Sequence, residues 1–450
     1  MRRGFLATAA RSGLSTILLV YSAVAHCGED AFAKWATVHA LPVTTVDSAG
    51  NDSDLLPLES AIGAAHVVAF GEPMHGAHEP LAFRNRLFRS LVERKGFTAI
   101  ALESGFTESI SARPFIEGGV GNAETAARTG LSGWLSRYVE NRELIQWMRD
   151  YNATASSTGH PRIRLYGIDL TDGARPSGPG LAINSALTFL YRADPTTAQK
   201  IRDSSSGSLP GIDASEFGPL SAAARVEFDT SIEAIAKALQ KSRKSLIAHS
   251  SAEEYRWALH NLDVARQLAK CLPLTPSGKV NASAWIPAVI CRDYGMAENV
   301  QWARENEGRQ GRLLVFAHDG HVMSWKEDGR RLANVREKPP AMGFHLRRVY
   351  GKDLYIIAMG CATASGGLLT AKPLEEDSIE STLAGVGLPL MFLDVRSGRQ
   401  NKEALTWLAT RRSLGANVST QSLITPATAV DAFFFVNTLT PAIVSSDEAH

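Results

Sequence analysis

The sequence predicts an α/β fold: a mostly parallel central sheet of about seven strands, flanked by helices and extended by a helical insertion. Short apolar runs rich in β-branched and aromatic residues recur along the chain, and each is too short to form a helix. Amphipathic helical patterns separate several of these runs, which is typical of right-handed βαβ units. With 450 residues, of which 44% are hydrophobic, the chain is long enough to cover both faces of such a sheet.

Seven segments have the strand pattern: residues 66–70, 97–102, 163–168, 312–317, 353–359, 389–395 and 432–437. The first two are joined by a predicted helix from about Glu79 to Lys95, with its apolar residues on one face and Gly96 as its C-cap. Leu144, Ile145 and Met148 mark another helix before the third strand. This alternation with short loops predicts that the strands lie mostly parallel in one sheet.

The middle of the chain has a different pattern. Gly, Pro and Ser residues are concentrated in two loops, 171–180 and 203–211. Helical periodicity covers three segments, at 182–193, 222–241 and 250–270. Because the strand pattern resumes afterwards, we expect a helical insertion at about 182–270 within one domain, 26–450.

The first residues have the features of an export signal. Arg2 and Arg3 give a positive start, Leu14 to Ala25 is mostly apolar, and Ala23-Val24-Ala25 matches a small-x-small cleavage site. We therefore expect residues 1–25 to be a signal peptide and the mature protein to be periplasmic or secreted. The apolar part is shorter than the roughly 20 residues that a spanning helix needs, so no stable membrane span is expected.

Charge and cysteine usage restrict the function classes. Lys and Arg number 47 against 46 for Asp and Glu, and no basic run occurs, so we expect a small-molecule substrate and no nucleic-acid partner. The four cysteines, none of them in a C-x-x-C pair, exclude a zinc ribbon or a thioredoxin motif. In an exported protein they are compatible with one or two disulfides or with buried free thiols, and the pairing stays open. They are Cys27, Cys271, Cys291 and Cys361.

Four of the predicted strands are followed, at once or after one Gly, by an ionisable residue. These residues are Glu72, Glu103, Asp169 and His318. In open α/β sheets, ligands bind outside the carboxyl ends of the strands, so this recurrence predicts a functional site at that edge. An acidic residue there would be desolvated, and it must therefore be paired or functional.

Further side chains with suitable chemistry lie beside these strand ends. His75 follows Glu72 closely, and a carboxylate beside a histidine can fix its tautomer while the imidazole accepts a proton near neutral pH. Arg292 could bind a carboxylate or stabilise an oxyanion, or form a structural ion pair with Asp293. No G-x-S-x-G, G-x-G-x-x-G or P-loop motif occurs, which argues against a serine hydrolase of the α/β-hydrolase class and against nucleotide binding.

Two H-x-x-H pairs leave a metal-dependent alternative open. His75 with His78 and His318 with His321 could contribute zinc ligands together with the nearby carboxylates. Neither pair has the H-E-x-x-H helix pattern, however, so the preferred interpretation has no metal and no cofactor.

In order and spacing, these residues resemble the erythromycin esterase family over roughly residues 60–442. The matching segments are Gly71-Glu72-x-x-His75-Gly76-x-x-Glu79, Gly96-Phe97 leading to Leu102-Glu103, Tyr166-Gly167-x-Asp169, Arg292-Asp293-x-x-x-Met296-Ala297-x-Asn299, Ala317-His318-x-x-His321, Leu388-Pro389 leading to Asp394-x-Arg396, and Asp431-Ala432-Phe433-x-Phe435-Val436 ending in Thr440-Pro441-Ala442. The sequence departs from the family at Asp319, where Asn is frequent, and His78 is not one of its residues.

The resemblance implies hydrolysis of a macrolide lactone ester by a histidine acting as general base on water, without a covalent enzyme intermediate. The family's base aligns with His75, and its other site residues align with Glu72, Glu103, Arg292, His318 and His321. Members of the family need not be macrolide esterases, so the resemblance indicates the chemistry more strongly than the substrate.

We therefore expect an exported hydrolase that cleaves a carboxylic ester, with a macrolide lactone as a candidate substrate. The expected catalytic residues are His75 as the base, Glu72 or Glu103 to orient it, and Arg292 or His318 to stabilise the oxyanion. His321 and Asp169 are expected to bind substrate. The alternatives are a metal-dependent hydrolase that uses the same residues and an envelope binding protein that has lost catalysis.

Overall fold

The fold is that of a computed structural model, and the residues it describes are 31–48, 52–170, 178–204, 221–276, 282–325, 329–330, 340–367, 369–418 and 420–444. The predicted signal peptide, Cys27 and parts of both Gly/Pro/Ser-rich loops lie outside these residues. Among the described helices, none combines the length and the apolar character needed to cross a membrane.

A large sheet forms the centre of the molecule. The strands are β1 Leu41–Pro42, β2 Val67–Glu72, β3 Ala99–Gly105, β4 Arg164–Asp169, β5 Leu313–His318, β6 Gly329–Arg330, β7 Leu354–Ala364, β8 Leu390–Asp394, β9 Arg412–Leu414, β10 Ser422–Ile424 and β11 Ala432–Leu439. Eight of them form the central sheet in the order β1-β8-β11-β7-β2-β5-β3-β4, while β6, β10 and β9 form a separate small sheet. The neighbours from β11 to β4 are parallel, and β8 is antiparallel to β11 and to β1.

The predicted fold class is confirmed, with an eight-stranded sheet instead of about seven strands. Each predicted strand has a counterpart, and the additional strand is β1, which contains only two residues. The small sheet was not predicted, because strands of two or three residues are too short to establish an alternating pattern. The antiparallel orientation of β8 was not predicted either, since its apolar run reads like that of a parallel strand.

Helices cover both faces of the sheet. The α-helices are Leu56–Ile62, His78–Lys95, Phe106–Ser109, Arg113–Ile116, Ala123–Gly130, Val139–Thr158, Pro179–Ala193, Pro195–Ser204, Ala222–Lys241, Arg243–His249, Ala252–Cys271, Ile286–Asn306, Asp319–Val322, Met342–Tyr350, Ile379–Ala384, Lys402–Leu408 and Pro426–Ala429, and residues 31–39 are also helical. Short 3₁₀ helices occur at Asp52–Leu55, Ile110–Ala112, Gly133–Arg137, Leu272–Leu274, Ala282–Trp285, Gly351–Asp353 and Gly398–Gln400.

Alternation along the strands separates two apolar cores. In β2, Val67 and Ala69 belong to one core, while Val68 and Phe70 belong to the other. The helices His78–Lys95 and Val139–Thr158 contribute to the second core, on the same face as Phe70. Gly96 ends the first of these helices in the left-handed conformation, with φ 68°, as its position after Lys95 predicts. The strands are therefore buried on both faces, which explains their continuous apolar runs.

The helical middle of the chain packs against the first core. The helices Pro179–Ala193, Ala222–Lys241 and Ala252–Cys271 share this core with the helix Ile286–Asn306. A disulfide between Cys271 and Cys291 joins the last two of these helices covalently. Cys361, on β7, is a buried free thiol. This arrangement connects the helical middle directly to the helix that carries Arg292.

Candidate functional site

Four adjacent strands end at the same edge of the sheet and bring their terminal side chains together. In the order β2-β5-β3-β4, Glu72 ends β2, His318 ends β5 and Asp169 ends β4, while Glu103 lies near the end of β3. Glu72 and His318 are direct register partners. Hydrogen bonds and ring contacts connect all seven residues that the sequence pointed to: Glu72, His75, Glu103, Asp169, Arg292, His318 and His321.

Glu72 and His75 form a hydrogen-bonded pair. His75 Nδ1 lies 2.7 Å from Glu72 Oε1, and the glutamate is buried while the imidazole side chain is 40% exposed. Burial opposes the charged imidazolium, but the hydrogen bond and the charge of Glu72 outweigh it and raise the pKa of His75 above its ordinary value. Burial also raises the pKa of Glu72, although its bond to His75 acts in the opposite direction. The arrangement resembles the carboxylate–imidazole half of a hydrolytic triad.

Glu103 occupies an irregularity in β3. The pairing of β3 with β4 shifts register between Leu102 and Gly105, and such bulges re-aim the side chains within them. Gly167 on β4 allows this close approach, because a Cβ there would lie 2.2 Å from the carbonyl oxygen of Gly105. The bulge therefore explains why the glutamate turns toward its neighbours in the site.

The carboxylate of Glu103 bonds to the rest of the cluster, not to His75. It accepts from Arg292 Nη2 at 2.8 Å and from the backbone N–H of His318 at 2.7 Å. Burial favours the protonated acid, but the charge that His321 carries when it is protonated, together with the charge of Arg292, holds the pKa of Glu103 well below its ordinary value. Glu103 is thus a fixed negative charge at the centre of the site.

Arg292 connects the parts of the cluster. Its Nε and Nη2 bind Asp169 Oδ1 and Oδ2 at 2.8 and 2.6 Å, and its Nη1 lies 2.9 Å from His321 Nε2. Burial disfavours the cation, but Asp169 and Glu103 raise the pKa of Arg292 well above its ordinary value. A guanidinium has five N–H groups, and these contacts with Asp169, Glu103 and His321 use four of them. One Nη1 N–H of this 30% exposed side chain is left for a ligand, as far as the described residues show.

His321 is held between an acid and Arg292. Its Nδ1 lies 2.7 Å from Asp293 Oδ1, which also accepts from the backbone N–H of Met342. An arginine can only donate, so the neutral form of His321 donates from Nδ1 to Asp293 and accepts from Arg292 at Nε2. The side chain is buried, and it supports Arg292 from behind.

Both ring nitrogens of His318 have partners within the protein. Nδ1 accepts from the backbone N–H of Gly320 at 3.0 Å, so Nε2 carries the hydrogen that points to the Pro73 carbonyl at 3.2 Å. The ring lies 5.3 Å from that of His75, measured between centroids, and it is buried. His318 therefore forms a fixed wall of the site.

His78, the second histidine of the first H-x-x-H pair, does not join the cluster. Its Nδ1 lies 2.6 Å from Glu140 Oε1, and its Nε2 lies 3.4 Å from Asp47. Within the described residues, no group of three or more His, Cys, Asp or Glu side chains is placed to hold a metal ion. Of the four histidines in the two H-x-x-H pairs, His78 thus lies apart from the cluster that contains the other three.

Sequence reasoning missed two side chains that border the site. Arg84 is completely buried in the helix His78–Lys95, where it donates to Asn85 and Asn141, and the charge of Glu72 acts on it. Arg84 lies on the apolar face of that helix, and this position could have identified it in the sequence, because a charged residue on a buried face must be paired or functional. Trp134 packs against His75 with 4.4 Å between ring centroids, and no pattern in the sequence pointed to it.

Asp319, where the family often has Asn, is buried beneath the site. Its carboxyl oxygens accept from the backbone N–H of Met359 at 3.1 and 3.3 Å. Burial raises the pKa of Asp319 well above its ordinary value. The departure from the family pattern therefore places near the site a carboxyl group whose ionisation is disfavoured by burial.

Comparisons with known proteins agree with the fold. The erythromycin esterase type II of Escherichia coli is 24% identical over 395 residues, which cover 81% of this chain and 89% of that protein. The crystal structure of a Bacillus cereus protein matches with a TM-score of 0.77 at 23% identity, covering 93% of this chain and 99% of that chain. A mutant of the erythromycin esterase EreC in its open conformation matches with a TM-score of 0.63 at 19% identity, covering 87% and 95% of the two chains. At these identities the two structures show the shared fold.

The family assignment rests on the sequence as a whole. The model of the erythromycin esterase family matches residues 92–439, which is more than half of the chain. Together with the Escherichia coli relative, this match indicates a hydrolase. The chain belongs to the erythromycin esterase family.

Proposed function

We propose that this protein is an exported hydrolase that cleaves a carboxylic ester with a water molecule activated by His75. The observation that carries the proposal is the hydrogen bond between His75 and the buried Glu72, on a ring that is 40% exposed beside the Arg292 cluster. A base that takes a proton from water needs one nitrogen held by the protein and the other nitrogen open to the reactants.

The hydrogen-bond pattern assigns the roles within the pair. With Nδ1–H donating to Glu72, the lone pair is on Nε2, and no described residue bonds to that nitrogen. Nε2 would accept a proton as the water attacks the ester carbonyl, and Glu72 would stabilise the resulting imidazolium. Glu103, which bonds to Arg292 instead, does not orient the base.

Arg292 is the better candidate for stabilising the oxyanion. It keeps one unused N–H among the described contacts and is 30% exposed, whereas His318 is buried with both nitrogens engaged. The salt bridges to Asp169 and Glu103 hold the guanidinium in place before the substrate arrives, which is the preorganisation that charge stabilisation requires.

The substrate and the location are the less direct parts of the proposal. A macrolide lactone is the first substrate to test, because the family and its Escherichia coli relative are named for erythromycin. Export is inferred from the sequence alone: from Arg2 and Arg3, the apolar segment Leu14 to Ala25 and the Ala23-Val24-Ala25 site. N-terminal sequencing of the protein from the cell envelope should therefore begin close to His26, and a protein that retains Met1 would contradict export.

The decisive experiment compares two histidine variants on a panel of macrolides and simple esters. His75→Asn should keep the fold and reduce kcat by roughly 10²–10⁴-fold, the usual contribution of a positioned base. His78→Asn is the matched control, since His78 is also a histidine paired with a buried glutamate but lies outside the cluster. It should retain most of the turnover.

The pH profile and two further measurements complete the test. Because the pKa of His75 is raised, kcat/KM should fall as the pH drops through a value above 6.5. Activity should be unchanged after chelation, and mass spectrometry of the quenched enzyme should find no acyl adduct. Near-normal activity of His75→Asn, or an acyl-enzyme on Ser or Cys, would contradict the mechanism, while chelator-sensitive activity would favour the metal-dependent alternative.

A further inference from the structure

The ring of Trp134 is the aromatic surface nearest to the proposed base. Its centroid lies 4.4 Å from that of His75, with 38° between the ring planes, while the His318 ring lies 5.3 Å from His75. Trp134 itself is half-buried, so part of the indole remains exposed beside an imidazole that is also partly exposed. A molecule that reaches His75 from solvent therefore meets the indole as well.

Hydrogen bonds fix the backbone on both sides of Trp134. The Ser132 hydroxyl accepts from the backbone N–H of Gly105 at 2.6 Å, and the Ser132 backbone N–H donates to Ser104 Oγ at 2.9 Å. The carbonyl of Leu135 accepts from Asn141 Nδ2 at 2.7 Å. The short helix that carries the tryptophan is thus attached to the end of β3, next to Glu103, and the backbone that positions the indole is fixed before a substrate binds.

The chemistry of this surface selects a type of substrate group. An indole offers a large apolar face, and its N–H, which has no partner among the described residues, can only donate a hydrogen bond. The charges of Glu72 and Glu103 both act on His75, and they would repel an anionic group beside the base. An uncharged apolar group is therefore the best match for the space beside Trp134.

We propose that Trp134 is a substrate-binding residue that packs against the apolar part of the ester next to the scissile bond and so sets the preference for acyl size. The inference rests on the proposed function, because it takes His75 as the base. In this proposal the indole determines which esters bind well, whereas His75 and Arg292 carry out the chemical step.

The test measures how kcat/KM depends on acyl length for 4-nitrophenyl acetate, butyrate and hexanoate. If the acyl chain packs on the indole, the wild type should gain up to about fourfold in kcat/KM for each buried methylene. Trp134→Ala should flatten this dependence, with the loss appearing mainly in KM, and Trp134→Phe should keep much of it. Trp147→Ala is the matched control, because Trp147 is also a half-buried tryptophan but contacts Phe88 and Tyr151 instead of the site.

Each outcome decides the inference. An equal loss on all three esters in Trp134→Ala, or an unchanged dependence on acyl length, would overturn it, and Trp134→Phe covers the case in which the alanine variant does not fold. If the wild type hydrolyses none of the esters, the proposed function fails, and calorimetric binding of hexanamide then tests Trp134 separately. Hexanamide binding to the wild type that weakens at least roughly tenfold in Trp134→Ala, and less in Trp134→Phe, supports the inference. Binding that is equally tight in Trp134→Ala, or no binding to the wild type, overturns it.

Discussion

The disulfide between Cys271 and Cys291 should stabilise the fold far more than it supports turnover. It closes a loop with a sequence separation of 20 and joins the helices Ala252–Cys271 and Ile286–Asn306. In the chain-entropy model, a loop of this length restricts the unfolded chain by about 3 kcal/mol at 25 °C. Reduction should therefore lower the free energy of unfolding by about that amount.

Turnover should be much less affected in the protein that remains folded. Arg292 follows Cys291 directly, but its guanidinium is held by two hydrogen bonds to Asp169 and one to Glu103. These bonds do not depend on the disulfide. We expect kcat at 25 °C to fall by less than roughly tenfold, the change that a loss of about 1.36 kcal/mol in the transition state would cause.

Urea unfolding with and without a phosphine reductant measures the effect, and the double variant Cys271→Ser/Cys291→Ser should match the reduced wild type. Cys361→Ala is the control: Cys361 is a buried free thiol with no disulfide to reduce, so the reductant should destabilise this variant as much as the wild type. A urea midpoint that does not move on reduction would refute the reasoning. So would a double variant that loses as much stability to the reductant as the wild type does.

Three further predictions concern charge. The hydrogen bond to Glu140 raises the pKa of His78. The protonated imidazole therefore stabilises the fold below pH 6.5, and this stabilisation is lost as the pH rises through the raised value. In urea unfolding, His78→Asn should lower the free energy of unfolding more at pH 6 than at pH 9. Burial raises the pKa of Glu380 to about 7 from 4.5, which costs stability as the pH rises through that interval. Relative to wild type, Glu380→Gln should gain up to about 3 kcal/mol between pH 4.5 and pH 8 in the same assay. Arg292→Lys should lower kcat of the protein that remains folded by roughly 10²–10³-fold, because an ammonium cannot reproduce the planar contacts. A fully active lysine variant would remove Arg292 from the mechanism.

Much of the fold could be predicted because buried parallel strands have an uninterrupted apolar pattern. Phe70 and Phe316 lie in runs of this kind, and the acid or histidine that ends each run marked the edge of the sheet at which the candidate site lies. Where a strand is very short, as at Leu41–Pro42, there is no pattern to detect. The orientation of β8 depends on its pairing with β11, which is a tertiary property that no local pattern encodes.

The site was predictable in composition but not in its pairings. Both Glu72 and Glu103 follow apolar runs, so the sequence does not distinguish them. The bulge in β3 turns Glu103 toward Arg292, and no local pattern predicts that bulge. The contact between Trp134 and His75 spans elements that are distant in the chain, so no spacing rule could have found it. The cysteine pairing could not be predicted either, because several pairings are equally compatible with the sequence.

The hydrogen bonds of the three histidines distinguish roles that their positions do not. His318 has a partner at both ring nitrogens, and His321 lies between Asp293 and Arg292. Either ring would have to break a bond within the protein before it could accept a proton from water. His75 alone in the cluster combines one nitrogen held by a buried carboxylate with a second nitrogen to which no described residue hydrogen-bonds. Substitution of His318 or His321 should therefore act through the placement of Pro73 or Arg292, whereas substitution of His75 should remove the proton acceptor itself.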